Sequence, residues 1–196
     1  FVSRGLGDVY KRQHNYYPDH LWRNNEFVKL NNPGGAWGNG NQDYSHDLMT
    51  EEAVNWITAN RDQPMFLYLA YCIPHTHWQV PELGEYAQKD WPEERFKVQA
   101  AMVSRMDRDI GRIKRLLEKL GIEEDTLLIF NSDNGAHGQG GTREFFDTTG
   151  GLKGKKRLMT EGGVRSPMLA YWPGKVPAGA HSEHISAFWD FLPTHG

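Results

Sequence analysis

Apolar residues between positions 94 and 120 recur at alternating steps of three and four, the spacing that places side chains on one face of an α-helix. The members of this stripe are Val103, Met106, Ile110, Ile113, Leu117 and Leu120. Charged residues fall between them, and Gly121 follows, where helices commonly end in glycine. The pattern predicts one long amphipathic helix over 94–120. A shorter stripe predicts a second helix that starts at Thr50 and ends near Asn60.

Three apolar runs have the length and composition of buried strands. They are "MFLYLAYC" at 65–72, "TLLIF" at 126–130 and "SPMLAYW" at 166–172. The long helix lies between the first two, and strand–helix–strand order is typical of a βαβ unit. The sequence therefore predicts an α/β fold with a mostly parallel sheet flanked by helices. Residues 31–45, dense in glycine and asparagine, are predicted to form a loop.

Polar clusters follow two of these strands at the carboxyl ends, where open α/β sheets bind ligands. After the second strand, Asp133 and Asn134 offer carboxylate and amide oxygens, which hard divalent cations prefer. A tight hairpin is excluded because no alternating strand follows. An EF-hand loop is excluded because its twelfth position is Thr142 rather than Glu. A plain capping loop stays open as the alternative.

After the first strand, "CIPHTHWQVP" at 72–81 places His75 and His77 in a short loop. A histidine there can protonate a leaving oxygen or donate a hydrogen bond to an anion, and a simple surface position is the alternative. A third cluster, at 151–167, is basic and framed by glycines, which allow an anion to approach the backbone closely. Solvated surface lysines are the alternative there.

The composition narrows the classes of function. The net charge is -3, from 22 basic and 25 acidic residues that are interspersed, so no nucleic-acid partner is predicted. Cys72 is the single cysteine, so this chain can form neither an internal disulfide nor a thiolate zinc site. No apolar stretch approaches the roughly 20 residues that cross a bilayer, so no membrane insertion is predicted.

Residues 1–13, "FVSRGLGDVYKRQ", follow neither a helical nor a strand period. Positions 8–13 resemble the translation of an adaptor used in sequencing libraries. This leader is therefore predicted to be non-native and is left out of the fold prediction, with an ordinary N-terminal segment as the alternative.

Taken together, the segments resemble the sulfatase family, with its alkaline-phosphatase-like α/β fold, and within it the bacterial arylsulfatase-A-like branch. The resemblance covers roughly residues 14–195 and rests on segments that occur in one order. They are "HNYYPDHLWRN", "MFLYLAY", "PHTHWQVP", "AAMVSRMDRDIGRI", "TLLIFNSDNG", "GLKGKKRLMTEGGVRSPMLAYWPG" and "AFWDFLPT". The resemblance implies a sulfuric ester hydrolase that acts on aryl sulfates or sulfated glycans, in the periplasm or outside the cell.

The resemblance also implies roles for individual residues. Asp133 and Asn134 of the "SDNG" loop are expected to be two ligands of one calcium ion. The family's sulfate-binding lysine lies five residues before the Glu of the "EGGVR" segment. Lys156 stands at that distance from Glu161, with Lys155 as the alternative.

Three histidines complete the expected site. His75 or His77 is expected to contact the sulfate and protonate the leaving oxygen, and the family pattern leaves the choice between them open. His137 is a further candidate for lining the substrate cleft.

The family's nucleophile is a formylglycine made from the Cys or Ser of a "C/S-x-P-x-R" motif, and here the chain departs from the family. Cys72 begins "CIPHT", with Thr76 in place of Arg, and it follows a different strand, so we reject it as the nucleophile. A buried, inert thiol is expected instead. The nucleophile and the remaining calcium ligands are expected in a segment upstream of this chain. Residues 14–196 are thus predicted to be part of a sulfatase catalytic domain that lacks its N-terminal nucleophile segment and its C-terminal subdomain, and to be inactive in isolation.

Two other functions stay open at this stage. A phosphodiesterase or phosphonate hydrolase of the same superfamily shares the metal loop. A non-catalytic homologue would bind sulfated glycans without cleaving them.

Overall fold

The computed structural model describes residues 14–195, and the prediction made for residues 1–13 lies outside that range. The strands are β1 (His20–Arg23), β2 (Glu26–Lys29), β3 (Leu128–Asn131) and β4 (Met168–Tyr171). The helices are α1 (Ser45–Asn60), α2 (Glu94–Leu120), α3 (Thr142–Phe146), α4 (Glu161–Val164) and α5 (Phe191–His195). Short 3-10 turns occur at Gly35–Trp37, Gly84–Tyr86, Gln139–Gly141 and Phe188–Asp190. Among these helices, none is both long enough and apolar enough to cross a membrane.

Helix α2 confirms the strongest periodic prediction. It ends at Leu120, and Gly121 takes a left-handed conformation (φ 72°) in which its N–H bonds the carbonyls of Leu117 and Glu118. The buried face differs from the predicted stripe: Met102 and Asp109 are buried, whereas Val103 is 42% exposed. The apolar period therefore located the helix, but packing selected which neighbour faces the core.

Helix α1 begins at Ser45, so the predicted start at Thr50 is wrong. Thr50 is buried inside the helix, where its hydroxyl bonds the His46 carbonyl oxygen (3.1 Å) and the Tyr71 hydroxyl (2.8 Å). A threonine followed by acids has the composition of a helix N-terminus. The same hydroxyl can also bond back to the preceding turn from within a helix, as it does here.

Residues 65–72 do not form a strand within the described part of the chain, so this prediction is wrong there. The segment is extended but makes no ladder with another strand in 14–195. Leu67 and Leu69 pack on the helical core, whereas Phe66 and Tyr68 are 66% and 74% exposed. The segment thus buries one face rather than the two that a central strand of a parallel sheet would bury.

The second and third predicted strands are present in shortened form as β3 and β4, and they pair antiparallel from Leu128 opposite Tyr171 to Asn131 opposite Met168. Strands β1 and β2 also pair antiparallel. The parallel pairing expected of a βαβ unit is therefore not found among residues 14–195, because the segment before α2 joins no ladder. The predicted burial of β4 is wrong as well, since Met168 and Leu169 are 46% and 66% exposed.

The core consists of two clusters along helices α1 and α2. One contains Tyr16, Tyr44, Ile73 and Met102, and the other contains Ile57, Ile113 and Leu117. The Tyr16 hydroxyl lies 2.6 Å from the carbonyl oxygen of His75 and 3.1 Å from that of Cys72. The first cluster therefore holds the loop at 72–81, which carries His75 and His77 and is called the histidine loop below, against helices α1 and α2.

Candidate active site

The loop that follows β3 presents the predicted metal ligands side by side. Asn134 donates a hydrogen bond from its amide nitrogen to a carboxylate oxygen of Asp133. The Ser132 hydroxyl donates to the Asn134 carbonyl oxygen at 3.2 Å, which closes the turn. Asp133 is exposed and Asn134 is half-buried, so both lie at the surface of the loop.

A close backbone contact joins this loop to the segment around α4. The Gly135 N–H donates to the Gly163 carbonyl oxygen at 3.0 Å, and a Cβ built at Gly135 would lie only 2.2 Å from the carbonyl oxygen of Gly162. Gly163 is equally confined, because a Cβ there would lie 2.0 Å from the Leu158 carbonyl oxygen. Glycine is therefore required at these positions for the two segments to approach each other.

The same contact positions Lys156. Its backbone N–H donates to the Ala136 carbonyl oxygen at 2.8 Å, which attaches the basic segment directly to the loop after β3. Lys156 is half-buried, whereas Lys155 is exposed and lies along Gly138, whose ideal Cβ position is 2.9 Å from the Lys155 side chain. The structure thus distinguishes the two lysines by burial and by contact.

The charges of Lys156 and Asp133 also act on His75 in the histidine loop. Burial lowers the pKa of His75, a hydrogen bond between its Nδ1 and the Thr76 carbonyl oxygen (2.5 Å) opposes that shift, and the charge of Lys156 lowers the pKa further. The carboxylate of Asp133 acts in the opposite direction on the same ring. His75 is half-buried, and His77 is exposed. Lys156 and Asp133, from two other segments of the chain, therefore lie close enough to His75 for their charges to act on its ring.

His137 belongs to the same group. Burial lowers the pKa of His137, and the positive charges of residues 155–157, together with the nearby His75, lower it further. Its Nδ1 accepts a hydrogen bond from the Gln139 N–H at 3.0 Å, which leaves Nε2 as the donor of the neutral ring.

His14 is a neighbour of this site that the sequence analysis did not single out. Its ring centroid lies 4.6 Å from that of His75 and 5.4 Å from that of His77. The first matching segment, "HNYYPDHLWRN", begins with this residue, and that position was the signal available in the sequence.

Comparison with known proteins decides the family. The sulfatase family model matches residues 2–195. The chain belongs to the sulfatase family. It is 34% identical over 154 residues to the uncharacterized sulfatase YdeN of Escherichia coli, covering 77% of this chain and 27% of that protein. It is 32% identical to human arylsulfatase A over 151 residues, with coverage of 77% and 27%. The sulfatase chain thus spans about a quarter of the length of these relatives.

Solved structures agree with this assignment. The crystal structure of Ps i-CgsB in complex with k-i-k-neocarrahexaose is 35% identical, with a TM-score of 0.66, and the match covers 82% of this sulfatase chain and 32% of that one. A second crystal structure of Ps i-CgsB gives a TM-score of 0.67 at 34% identity. The predicted family and its alkaline-phosphatase-like α/β fold are therefore confirmed.

Sulfatases generally use a metal ion and a formylglycine, and the loop after β3 has a donor set that suits a hard cation. Because Asn134 donates through its amide nitrogen, its carbonyl oxygen is left to act as a ligand, as is the second oxygen of Asp133. Calcium takes six to eight oxygen ligands, so a calcium ion at this loop would need further ligands besides these two residues.

A second group of residues in this sulfatase chain has side chains that can bind a metal, but its carboxylates are already paired with arginines. His46, Asp47 and Asp109 bring their ligand atoms within 4.8 Å of one another. Arg105 bonds both carboxylate oxygens of Asp47 at 2.7 and 2.5 Å, and Arg108 and His46 bond Asp109 at 3.1 and 3.0 Å. Because each carboxylate already faces a guanidinium, a divalent cation is disfavoured. We interpret the group as an ion-pair network that joins α1 to α2.

Cys72 lies against the first core cluster of the sulfatase fold and is only partly accessible. Burial raises the pKa of its thiol, which disfavours the reactive thiolate. These observations support a packing role for this residue.

Proposed function

We propose that the protein containing this chain hydrolyses sulfate esters, either aryl or carbohydrate sulfates. The observation that carries the proposal is that the loop after β3 contacts two other segments: Ala136 accepts the backbone N–H of Lys156, and Gly140 lies against Trp78, which follows His77. Because the chain spans about a quarter of its relatives, the activity is proposed for the whole protein.

Each residue has a distinct role in this proposal. Asp133 and Asn134 hold one calcium ion, which when bound supplies positive charge to the sulfate oxygens. The Lys156 ammonium binds the same anion as a compact charge with three donors and offsets charge that develops in the transition state. His75 or His77 donates a proton to the departing oxygen, because a protonated alcohol is a far better leaving group than an alkoxide.

His75 has the geometry to do this through Nε2. Its Nδ1–H donates to the Thr76 carbonyl oxygen, so the opposite ring nitrogen is the one that can face a substrate, and it gives up a proton from the doubly protonated ring, which returns to the neutral form. In this proposal His77 and His137, both of which are exposed, contact the outer part of the ester or the sulfate. The nucleophile is a formylglycine supplied by a part of the protein outside this chain, and its chemistry is covalent capture of the sulfuryl group.

The lysine assignment is tested with the purified full-length protein and 4-nitrophenyl sulfate. Lys156→Ala should reduce kcat/KM by about 10²–10³, the usual effect of removing a group that stabilises developing negative charge. Lys153→Ala is the matched control, because Lys153 lies in the same basic segment and is exposed. Equal activities of the two variants would contradict the proposal. Hydrolysis of bis(4-nitrophenyl) phosphate in preference to the sulfate would point to the phosphodiesterase alternative.

The metal assignment is tested by calorimetric titration of calcium into the chelator-treated protein. Asp133→Asn should weaken calcium binding and lower activity in proportion, because it removes the anionic ligand. Asp125→Asn, at an exposed aspartate outside the site, should bind calcium normally. Retention of calcium affinity in Asp133→Asn would place the ion elsewhere.

The two histidines are distinguished by the leaving group. Loss of a general acid should slow hydrolysis of an alkyl or sugar sulfate far more than that of 4-nitrophenyl sulfate, whose phenolate leaves without protonation. We expect this selectivity from His75→Ala and a smaller, uniform loss from His77→Ala. The reverse pattern would assign the acid to His77.

A further inference from the structure

A cleft of about 410 Å³ opens next to the histidine loop. Ala36 and residues 38–41 form one wall and residues 78–80 the other, with Tyr17 and Val98 completing the lining. Its volume lies within the range of about 300–1,000 Å³ that is usual for small-molecule sites. Trp78, which lines the cleft, directly follows His77 in the sequence.

The lining chemistry suits a neutral, hydroxyl-rich ligand. Among the described residues that line the cleft, none carries a carboxylate, an ammonium or a guanidinium group. The polar groups are the Asn39 amide and the backbone, together with the amides of Asn41 and Gln79, which already form hydrogen bonds within the walls. The aromatic groups are Tyr17 and Trp78. Amides bond hydroxyl groups as donors and as acceptors, and aromatic rings pack against apolar C–H faces. The described lining offers no cationic side chain of the kind that strengthens the binding of a sulfate or phosphate group.

The walls of the cleft are held in place by internal hydrogen bonds. The Gln79 side-chain amide donates to the Ala36 carbonyl oxygen and ties the two walls together. The Asn41 amide donates to the Gly35 carbonyl oxygen at 2.5 Å, and its oxygen accepts the Gly34 N–H at 3.1 Å. The cleft is therefore formed before any ligand arrives, which lowers the entropic cost of binding.

Trp78 connects the cleft to the sulfate-binding region. Its indole N–H donates to the Pro74 carbonyl oxygen at 3.1 Å, which fixes the ring beside the histidine loop. The far edge of the ring lies 3.3 Å from the ideal Cβ position of Gly140, in the loop that continues from Asp133 and Asn134. One side chain thus borders both regions.

We propose that this cleft binds an unsulfated sugar unit of a sulfated glycan, adjacent to the unit whose sulfate is cleaved. The inference rests on the proposed function and makes it more specific, because it favours carbohydrate sulfates over simple aryl sulfates. Asn39, which is exposed in the 38–41 wall, is positioned to contact the hydroxyl groups of that unit.

The test uses the full-length protein and three sulfate-free probes: galactose, N-acetylgalactosamine and glucose. Binding is followed by nuclear magnetic resonance through the indole N–H signal of Trp78, assigned by its loss in Trp78→Phe. At least one probe should shift this signal in a saturable manner. Asn39→Trp, which fills the cleft, should weaken that binding roughly tenfold or more. Asn25→Trp, at an exposed asparagine of the β1–β2 hairpin, is the matched control and should bind normally.

The outcomes separate this proposal from the proposed function. Absence of any saturable shift, or unchanged binding in Asn39→Trp, overturns the sugar subsite. Shifts confined to other indole signals in the unsubstituted protein overturn it as well, whether or not Asn39→Trp folds. Failure of the proposed function shows separately, as 4-nitrophenyl sulfate turnover that is independent of Lys156.

Discussion

Substitution of Gly163 by alanine is the sharpest test of how the candidate site is built. A Cβ at this position would lie 2.0 Å from the Leu158 carbonyl oxygen and 2.5 Å from that of Lys155. Both atoms belong to backbone and flank Lys156, so neither can be relieved by a side-chain rotation. The segment that carries Lys156 must move instead.

The size of the effect follows from what that movement breaks. Inserting a methyl group into a packed site commonly costs about 1–3 kcal/mol. The displacement also strains two backbone hydrogen bonds, from Gly135 to Gly163 and from Lys156 to Ala136, each worth about 1 kcal/mol net. We therefore expect a loss of about 3–5 kcal/mol in the free energy of unfolding. For a chain of this length, 3 kcal/mol corresponds to a decrease in Tm of about 6–12 °C.

Gly111→Ala is a matched control that should raise the free energy of unfolding rather than lower it. Gly111 lies within α2, and a Cβ there would meet only the flexible end of Arg115, at 3.3 Å. Both substitutions restrict the unfolded chain equally, so the difference between them reports the folded state. Helix propensity favours alanine by about 1 kcal/mol, so this variant should be more stable than the unsubstituted protein.

Thermal denaturation followed by circular dichroism measures both variants. A Gly163→Ala protein that unfolds at the same temperature as Gly111→Ala would refute the backbone contact described here. Turnover of 4-nitrophenyl sulfate by the full-length protein gives a second readout, since displacement of Lys156 should lower it even where the variant is folded.

Three further predictions concern helices α1 and α2 and strand β4. Burial lowers the pKa of His46 below 6.5 despite the opposing effect of Asp109, so the unfolded chain binds more protons below that pH. Stability should therefore be lost as the pH falls below 6.5, by at most about 1.4 kcal/mol per pH unit, and His46→Gln should flatten this slope in urea denaturation. A double-mutant cycle of Asp47→Asn and Arg105→Lys should show a coupling of about 1–2 kcal/mol, reduced because Asp47 is 36% exposed; a coupling of zero would contradict the described pair. Leu169→Ser in exposed β4 should change stability by less than about 0.5 kcal/mol, whereas truncation of the buried Ile113 to alanine should cost about 2–5 kcal/mol; equal losses would show that β4 is buried.

Local sequence patterns predicted the elements whose apolar residues recur with a regular period. The apolar spacing in α2 and the glycine at its end are properties of a single segment, so both were predicted without tertiary information. The start of α1 was not, because Thr50 satisfies its hydroxyl within the helix and against Tyr71, a contact with a distant segment. The extended segment 65–72 was assigned as a strand for a similar reason: apolar composition indicates burial but does not specify a pairing partner.

The candidate site shows the same division. Resemblance to the sulfatase family selected Asp133, Asn134 and Lys156 as residues, but it left Lys155 open as the alternative. The two lysines differ in burial, and only the tertiary structure shows that difference. His14 was overlooked because nothing in its local sequence indicates that its ring lies beside His75.

The sequence by itself determined the family, the long helix and the residue types that the proposed chemistry requires, because these depend on motifs and short-range spacing. The tertiary structure decided which glycines must remain glycine, which ion pairs join α1 to α2, and where a neutral cleft meets the histidine loop. Those features depend on contacts between segments far apart along the chain. Backbone carbonyls 2.0–2.5 Å from a missing Cβ leave no trace in local composition.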